Sequence, residues 1–282
     1  MTELLKVAVP NKGILSEYAT QMLEEAGYAV RKDTKTLRVL DSVNGIEFFY
    51  LRPRDIATYV GTGALDLGLT GLDLLADSRS DAVRVADLNF GKSTFRFAGE
   101  PGRFSQLADI SGKRVATAYP DLLQDFLIAN GVTAAIVKLD GAVETAVSLG
   151  VADLVADVVS SGNTLRQAGL EIFGPVILES SAYLIANSSS LSKATTLLRR
   201  LNGVLVAREF VIFDYDCPAS LVEQASNITP GIESPTISPT KDAEWVAVRA
   251  LVRRELTNEK MDELYDLGAR AILVSAIHAA RI

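Results

Sequence analysis

The sequence predicts an α/β protein with two similar lobes on mainly parallel sheets and a smaller C-terminal βαββαβ domain. Three observations predict it. Over residues 4–165, short apolar, β-branched runs alternate with helical patterns, as strand–helix–strand units do. Around residues 90–100 the texture changes to shorter, antiparallel-looking strands before a second set of units begins. Past residue 209 the order becomes strand, helix, two strands, helix, strand.

In the first lobe, residues 4–10 read as a buried strand leading through Asn11-Lys12-Gly13 into a helix over 16–26. Leu15, Ala19, Met22 and Leu23 recur there at helical spacing, and Gly27 stops the pattern. Residues 37–40 and 46–51 read as strands, and Pro53 suits the first turn of a helix ending at Gly61 or Gly63. Residues 66–70 form another buried strand, followed by Gly71 and a helix from Asp73. Ligands of such sheets sit beyond the C-terminal strand ends. Asn11, Lys12, Arg52, Arg54, Thr70, Gly71 and Asp73 all fall at those ends.

In the second lobe, residues 113–118 form a strand, and Tyr119-Pro120-Asp121 opens a helix ending near Gly131. Residues 134–139 form the next strand, and Asp140-Gly141 leads to a helix over 142–149. Residues 151–159 (VADLVADVV) read as a buried strand interrupted by Asp153 and Asp157. It runs into Ser160-Ser161-Gly162-Asn163-Thr164 and a helical pattern from Leu165. Backbone N–H groups converge at such a turn and the helix dipole adds positive potential, which suits a phosphate, with Asp157 placed for ribose hydroxyls. Taken alone, the turn reads equally well as an ordinary one capped by Ser161 or Asn163. Residues 170–178 and 183–186 are expected to return the chain to the first lobe, and 191–208 to form a long amphipathic helix.

Two α/β lobes joined by crossing segments resemble the periplasmic-binding-protein plan, with the ligand between the lobes. The expected boundaries are 1–91 for the first lobe (completed by about 184–208), 92–183 for the second and 209–282 for the last domain. That domain reads as strand 210–215, helix 218–225, hairpin 234–239 with 245–252, helix 257–267 and strand 271–276. This is the ferredoxin-like order. Small domains of this kind at the end of a metabolic enzyme often bind an effector, by analogy only.

Composition narrows the chemistry. A net charge of −7 argues against a nucleic-acid partner, which needs a basic surface. The single cysteine, Cys217, excludes an internal disulfide and reads as a packing residue; the single histidine, His278, reads as exposed or interfacial. Multi-histidine metal sites and Ser–His–Asp hydrolysis are disfavoured. No stretch is long and apolar enough to span a membrane and no leader pattern opens the chain, so a cytoplasmic protein is expected.

Residues Glu144 to Leu165 resemble the signature of ATP phosphoribosyltransferase, the first enzyme of histidine biosynthesis. Glu144, Gly150, Ala152, Val155, Asp157, Val158 and Ser161-Gly162-Asn163-Thr164-Leu165 fill every fixed position of that pattern. Val9-Pro10-Asn11-Lys12-Gly13, Leu51-Arg52-Pro53-Arg54-Asp55, Gly112 to Pro120 and Asp140-Gly141-Ala142-Val143-Glu144 fit the same family. So do Thr229 to Thr236 and Gly268 to Leu273. The resemblance covers nearly the whole chain and is to the long form, nearest to actinobacterial versions.

The resemblance implies transfer of the phosphoribosyl group of phosphoribosyl pyrophosphate to N1 of ATP, with Mg²⁺ as cofactor. It gives Ser160, Ser161, Gly162, Asn163 and Thr164 to the 5′-phosphate, and Asp157 and Glu144 to the ribose hydroxyls. Lys12, Arg52 and Arg54 would face phosphates as catalytic groups, and Asp73 and Tyr119 would contact the adenine nucleotide. The position after Gly71, sometimes an arginine in the family, is Leu72 here. Asp153 reads as structural. In the last domain the resemblance implies L-histidine as feedback inhibitor, held by Asp216 with Ile232, Thr236 and Ala271 around it, and a hexamer in equilibrium with dimers. It names no metal ligands. Two other readings remain: a solute-binding protein without chemistry, and a regulatory subunit that senses an amino acid.

Overall fold

The computed structural model describes residues 4–281. It divides into two compact units, Met1–Leu198 and Arg199–Ile282. The first unit begins with β1 (Leu5–Pro10), α1 (Gly13–Glu25), β2 (Arg38–Asp41), β3 (Ile46–Leu51), α2 (Pro53–Gly61), β4 (Leu67–Gly71), α3 (Leu72–Asp77) and β5 (Val83–Asp87). The chain then crosses to β6 (Ser93–Gly99), β7 (Arg114–Thr117), α4 (Pro120–Ala129), β8 (Ala135–Lys138), α5 (Thr145–Ser148), β9 (Leu154–Val159), α6 (Asn163–Gln167) and β10 (Glu171–Ser180). It returns through β11 (Ala182–Ala186).

These strands make two sheets. The first has the order β2-β3-β1-β4-β11-β5, with β3, β1 and β4 parallel and β11 antiparallel to β4 and β5. The second has the order β10-β6-β9-β7-β8, with β9, β7 and β8 parallel and β6 antiparallel to β9 and β10. Parallel strands at the centre of a sheet are covered on both faces, and β4 is buried along its whole length. Gly68 lets α2 lie close on it: a Cβ there would come within 2.6 Å of the Ile56 side chain. In the second lobe Phe95, Phe97, Val115, Leu123 and Leu154 form the core on one face of the sheet.

The lobe-and-crossing plan stands as the sequence predicts, with local corrections. Residues 170–178 do not return to the first lobe; β10 stays as an edge strand on β6, and only β11 goes back. The helix expected over 142–149 is only Thr145–Ser148, because Gly141 and Ala142 take left-handed backbone (φ +107° and +46°), which no helix continues. The helix expected from Leu165 is a five-residue turn closed by Gly169. Val83–Asp87 is a strand that the sequence reading leaves out; its residues are half-buried or exposed, giving a weak apolar signal. The helix expected over 191–208 is a 3-10 segment, Ser188–Ala194, followed by α7 (Thr195–Glu209).

The second unit continues with β12 (Phe210–Pro218), α8 (Val222–Ile228), β13 (Thr236–Pro239), β14 (Trp245–Arg253), α9 (Thr257–Leu267) and β15 (Arg270–Ala276). The antiparallel order β13-β14-β12-β15 is that of the ferredoxin-like βαββαβ plan. Strict alternation along β12 sends Val211, Phe213, Tyr215 and Cys217 into one core with Ala225, Val248 and Leu264. Cys217 is thus a packing residue whose thiol burial pushes up in pKa, and His278 is exposed. No described helix is long and apolar enough to cross a membrane.

Candidate active site

A cavity of about 930 Å³ opens between the two lobes of the first unit. Its first wall is made where parallel strands end. Lys12, Ile14 and Leu15 follow β1; Arg52, Pro53, Arg54 and Asp55 follow β3; Gly71 ends β4, and Asp73 and Leu74 follow it. Pro53 starts α2 with its fixed φ while Arg52 keeps extended backbone, so both arginines stand at the rim of the helix start. The second wall comes from Ala118 and Tyr119 after β7, Asp140 and Val143 after β8, and Asp157, Val158 and Ser160 at the end of β9. The crossing segment contributes Gly91, Lys92 and Ser93.

Several contacts join the walls. The Arg54 guanidinium carbon lies 4.5 Å from the centre of the Tyr119 ring, a cation–π contact between lobes. The Tyr119 hydroxyl donates to Asp73; burial, helped by that carboxylate, drives the phenol well above its ordinary pKa. Asp73 is itself buried and accepts from Ser180 Oγ at 2.7 Å, while its backbone N–H donates to the same oxygen at 3.1 Å. Among the described residues neither Lys12 nor Arg52 has an ion-pair partner. Unneutralised cations at one rim leave the cleft attractive to anions despite the chain's negative net charge.

Asp157 is the electrostatic centre of the second wall. Burial raises its pKa, Glu144 and Asp73 add to the rise, and the Val158 N–H at 2.8 Å and Arg54 oppose it. An ionised carboxylate held at such cost has spare acceptor capacity for hydroxyl donors. Beyond it, the turn from Ser160 to Thr164 pivots on Gly162 at φ +71°, a conformation that suits glycine. Arg166 donates to the Ser161 carbonyl at 3.2 Å and to the Asn163 side chain, which holds the turn open. Leu165 anchors it by packing on Val155 and Val159.

The structure brings together most of what the sequence singled out. Lys12, Arg52, Arg54, Asp73, Tyr119, Asp157 and Ser160 line one cavity. Ser161, Gly162, Asn163 and Thr164 continue the turn past that lining, and Glu144 stands near enough to raise the Asp157 pKa. Two expectations change. Gly162, not Ser161 or Asn163, occupies the cap position and offers no side chain; Ser161, one residue earlier, accepts with Oγ from the Asn163 N–H at 3.5 Å. With only five residues in α6 the helix dipole is small, so anion affinity must come from the turn's own amides and hydroxyls. Thr70 and Asn11 are not among the residues that line the cavity: Thr70 Oγ1 donates to the Pro53 carbonyl, and the backbone carbonyl of Asn11 accepts from Arg31. Sequence reasoning missed Lys92 and Ser180. A cation after glycine at the lobe crossing was an available signal for the first; nothing marked the second.

In the last domain, Asp216 is half-buried on the face of the sheet turned away from α8 and α9. Ala271 takes φ +50° beside a break in the β12–β15 register between Asp214 and Asp216. Thr236 shares the Asp216 face from β13, two strands across and two residues along in register, roughly 12 Å away. Ile232 lies in the exposed loop before β13.

A family model described as ATP phosphoribosyltransferase matches residues 52–203, and one described as the HisG C-terminal domain matches residues 207–279. The ATP phosphoribosyltransferase of Paenarthrobacter aurescens is 58% identical over 286 aligned residues, covering 99% of this chain and all of the relative (100%). Among solved structures, the ATP phosphoribosyl transferase (HisG:HisZ) complex from Thermotoga maritima aligns with a TM-score of 0.62 and 29% identity, covering 71% of this chain and 97% of that one. A protein named Tv2483, solved bound to L-arginine, aligns at TM-score 0.50 and 13% identity over 71% of this chain and 84% of its own, a likeness of fold alone. The two-lobed core is therefore a periplasmic-binding-protein-like fold carrying a transferase signature, and the chain belongs to the ATP phosphoribosyltransferase family.

Proposed function

We propose that the interlobe cavity binds both substrates of the family's reaction, with the second lobe holding the phosphoribosyl donor and the first lobe its pyrophosphate. The observation that carries this reading is the division of charge across the cavity. The three cations Lys12, Arg52 and Arg54 line one wall, beside Asp55 and Asp73, while half-buried Asp157 and Ser160, which opens the turn, line the other, where no cation stands among the described residues. The amides and hydroxyls from Ser160 to Thr164 take the 5′-phosphate, and Asp157, with Glu144 behind it, accepts hydrogen bonds from the ribose hydroxyls. Tyr119 and Asp73 meet the adenine nucleotide.

In the reaction the lone pair of adenine N1 forms the new bond to C1 of the ribose as the C1–oxygen bond breaks. The electron pair leaves with pyrophosphate. N1 needs no base to become a nucleophile, so a site without histidine suffices. The side chains orient the two substrates and neutralise the charge that develops on the leaving group. Among the described residues no group of three or more His, Cys, Asp or Glu side chains is arranged to hold a metal. That fits Mg²⁺, which keeps several waters and binds through substrate phosphates plus one or two carboxylates. The cavity lining offers the carboxylates of Asp55, Asp73, Asp140 and Asp157 for this, and Mg²⁺ held by one or two of them would supply charge neutralisation to the diphosphate.

The last domain is assigned to L-histidine as feedback inhibitor. Asp216 receives its amino group or imidazole, and Ile232, Thr236 and Ala271 border it. The protein acts in the cytoplasm as a homo-oligomer, a hexamer exchanging with dimers, which sedimentation checks. The central test is a spectrophotometric assay with ATP, phosphoribosyl pyrophosphate and Mg²⁺. Phosphoribosyl-ATP is expected, and no product above background refutes the reading. Asp216→Ala is expected to lose histidine sensitivity and keep turnover; unaltered inhibition removes Asp216 from the effector site.

A further inference from the structure

The two lobes also meet behind the cavity, at a carboxylate that the transfer chemistry does not use. Helix α4 begins directly after Tyr119, which occupies its cap position and makes no capping hydrogen bond. The orphan N–H groups at a helix start are ordinarily met by a side chain just before the helix. Here they are met from the other lobe. Asp77, the last residue of α3, accepts with Oδ1 from the N–H groups of Asp121 and Leu122 at 3.0 and 3.1 Å. Its Oδ2 lies 3.6 Å from Arg54, and its side chain is only 11% exposed. Arg79, two residues on, donates to Asp121 at 3.1 Å and Asp125 at 2.7 Å, a second tie to the same helix.

Asp77 thus bears on the Arg54–Tyr119 contact from two sides, on Arg54 directly and on Tyr119 through the first turn of the helix that follows it. One oxygen fixes the start of the helix that carries Tyr119 into the cleft, and the other restrains the guanidinium stacked on that ring. We propose that Asp77 is a positioning residue for the transfer: a helix cap supplied in trans, joining the lobes and fixing the place where Arg54 meets Tyr119. The clasp needs both the acceptor geometry and the charge. An amide at this position still accepts from the two N–H groups but no longer holds Arg54; alanine does neither.

The inference rests on the phosphate role given to Arg54, so its test separates the two. Asp77→Asn, Asp77→Ala, Arg54→Ala and the double variant Asp77→Asn/Arg54→Ala are compared by steady-state kinetics and thermal unfolding of the full chain. Asp77→Asn is expected to lower kcat/KM for the donor about 10-fold and Asp77→Ala about 100-fold, both in excess of any loss of folded fraction. In the Arg54→Ala background Asp77→Asn is expected to add less than about 2-fold, because the charge acts through Arg54. Full multiplicativity in that background overturns the proposal, as do wild-type kinetics in both Asp77 variants. Wild-type kinetics in Arg54→Ala sink the phosphate role alone. The clasp is then judged by Asp77→Ala: a reduced kcat/KM in fully folded protein supports it, and wild-type values overturn it.

Discussion

Asp153, just before β9, and Asp157, within it, are four positions apart in sequence, and their surroundings drive them in opposite directions. Asp153 sits just before β9 and faces Arg114, which donates to it from its backbone N–H at 2.9 Å and from its guanidinium at 3.1 and 3.3 Å. Those bonds pull its pKa down to about 2. Asp157 lies near the other end of the strand, at the cavity, where burial raises its pKa and Glu144 adds to the rise. One carboxylate is satisfied by the fold; the other is kept short of partners. One residue type is thus engaged by the fold at the N-terminal end of a strand and left open to a ligand at the C-terminal end, where sheets of this kind place their sites.

Removing the charge at the cavity end gives the largest expected effect. Asp157→Asn should weaken donor binding by about 2 kcal/mol, roughly 30-fold, because a charge-assisted acceptor of ribose hydroxyls is lost. The same change should raise the melting temperature. A folded pKa above the unfolded value means that the ionised carboxylate costs stability at neutral pH, and the cost fades as pH falls through the folded pKa. Calorimetric titration with the donor and a thermal melt check both signs. Unchanged affinity removes Asp157 from the donor site. The raised pKa also means that wild-type donor affinity should start to fall, on acidification, at a higher pH than an ordinary carboxylate would give. KM for the donor measured against pH checks this, and an affinity flat down to the ordinary carboxylate range breaks the contrast.

A smaller effect is expected in the turn beyond Asp157. Gly162→Ala places a side chain at φ +71°, while the space around it is ordinary, with the nearest atom 3.5 Å away. The cost is therefore conformational, about 1 kcal/mol, and falls on the turn that presents the amides. A donor KM raised several-fold with kcat little changed is the expected kinetic signature. A wild-type KM would mean that the turn does not bear on the donor.

How much of this was legible beforehand follows from where the physics is local. Lys12, Arg52, Arg54 and Asp73 stand at strand ends, and an α/β pattern places strand ends at a cleft, so the strand–helix pattern pointed to the cavity wall they line, whereas Tyr119 and Glu144 were singled out by the family resemblance. The short helices were not legible. Glu144 to Leu149 has helical residues throughout, and only the left-handed backbone at Ala142 delays the start. The return path was also opaque, because β10 and β11 are similar apolar runs whose sheets are decided by long-range pairing with β6 and β4. Asp77 and Ser180 escaped for the same reason: their partners, Leu122 and Asp73, are 45 and 107 positions away. The signature from Glu144 to Leu165 pointed to the turn proposed for the donor, whereas the contacts that support that turn had to be seen in three dimensions.

The smallest effect sharpens the contrast most cleanly, because it separates stability from function on one strand. Asp153→Asn should leave kcat and both KM values unchanged, since Asp153 does not line the cavity. It should destabilise the fold by about 1 kcal/mol, the scale of one partly exposed ion pair with a backbone hydrogen bond. The sign with pH is opposite to that of Asp157. With a folded pKa of about 2, below the unfolded value near 3.9, the contribution of Asp153 is present above about pH 4 and is lost as pH falls through the folded pKa. Wild type and variant should therefore differ in denaturant midpoint at pH 7 and converge near pH 2. A difference that persists at pH 2 would mean that Asp153 acts through packing and not through its charge. A loss of activity at pH 7 with the fold intact would end the division of labour along β9.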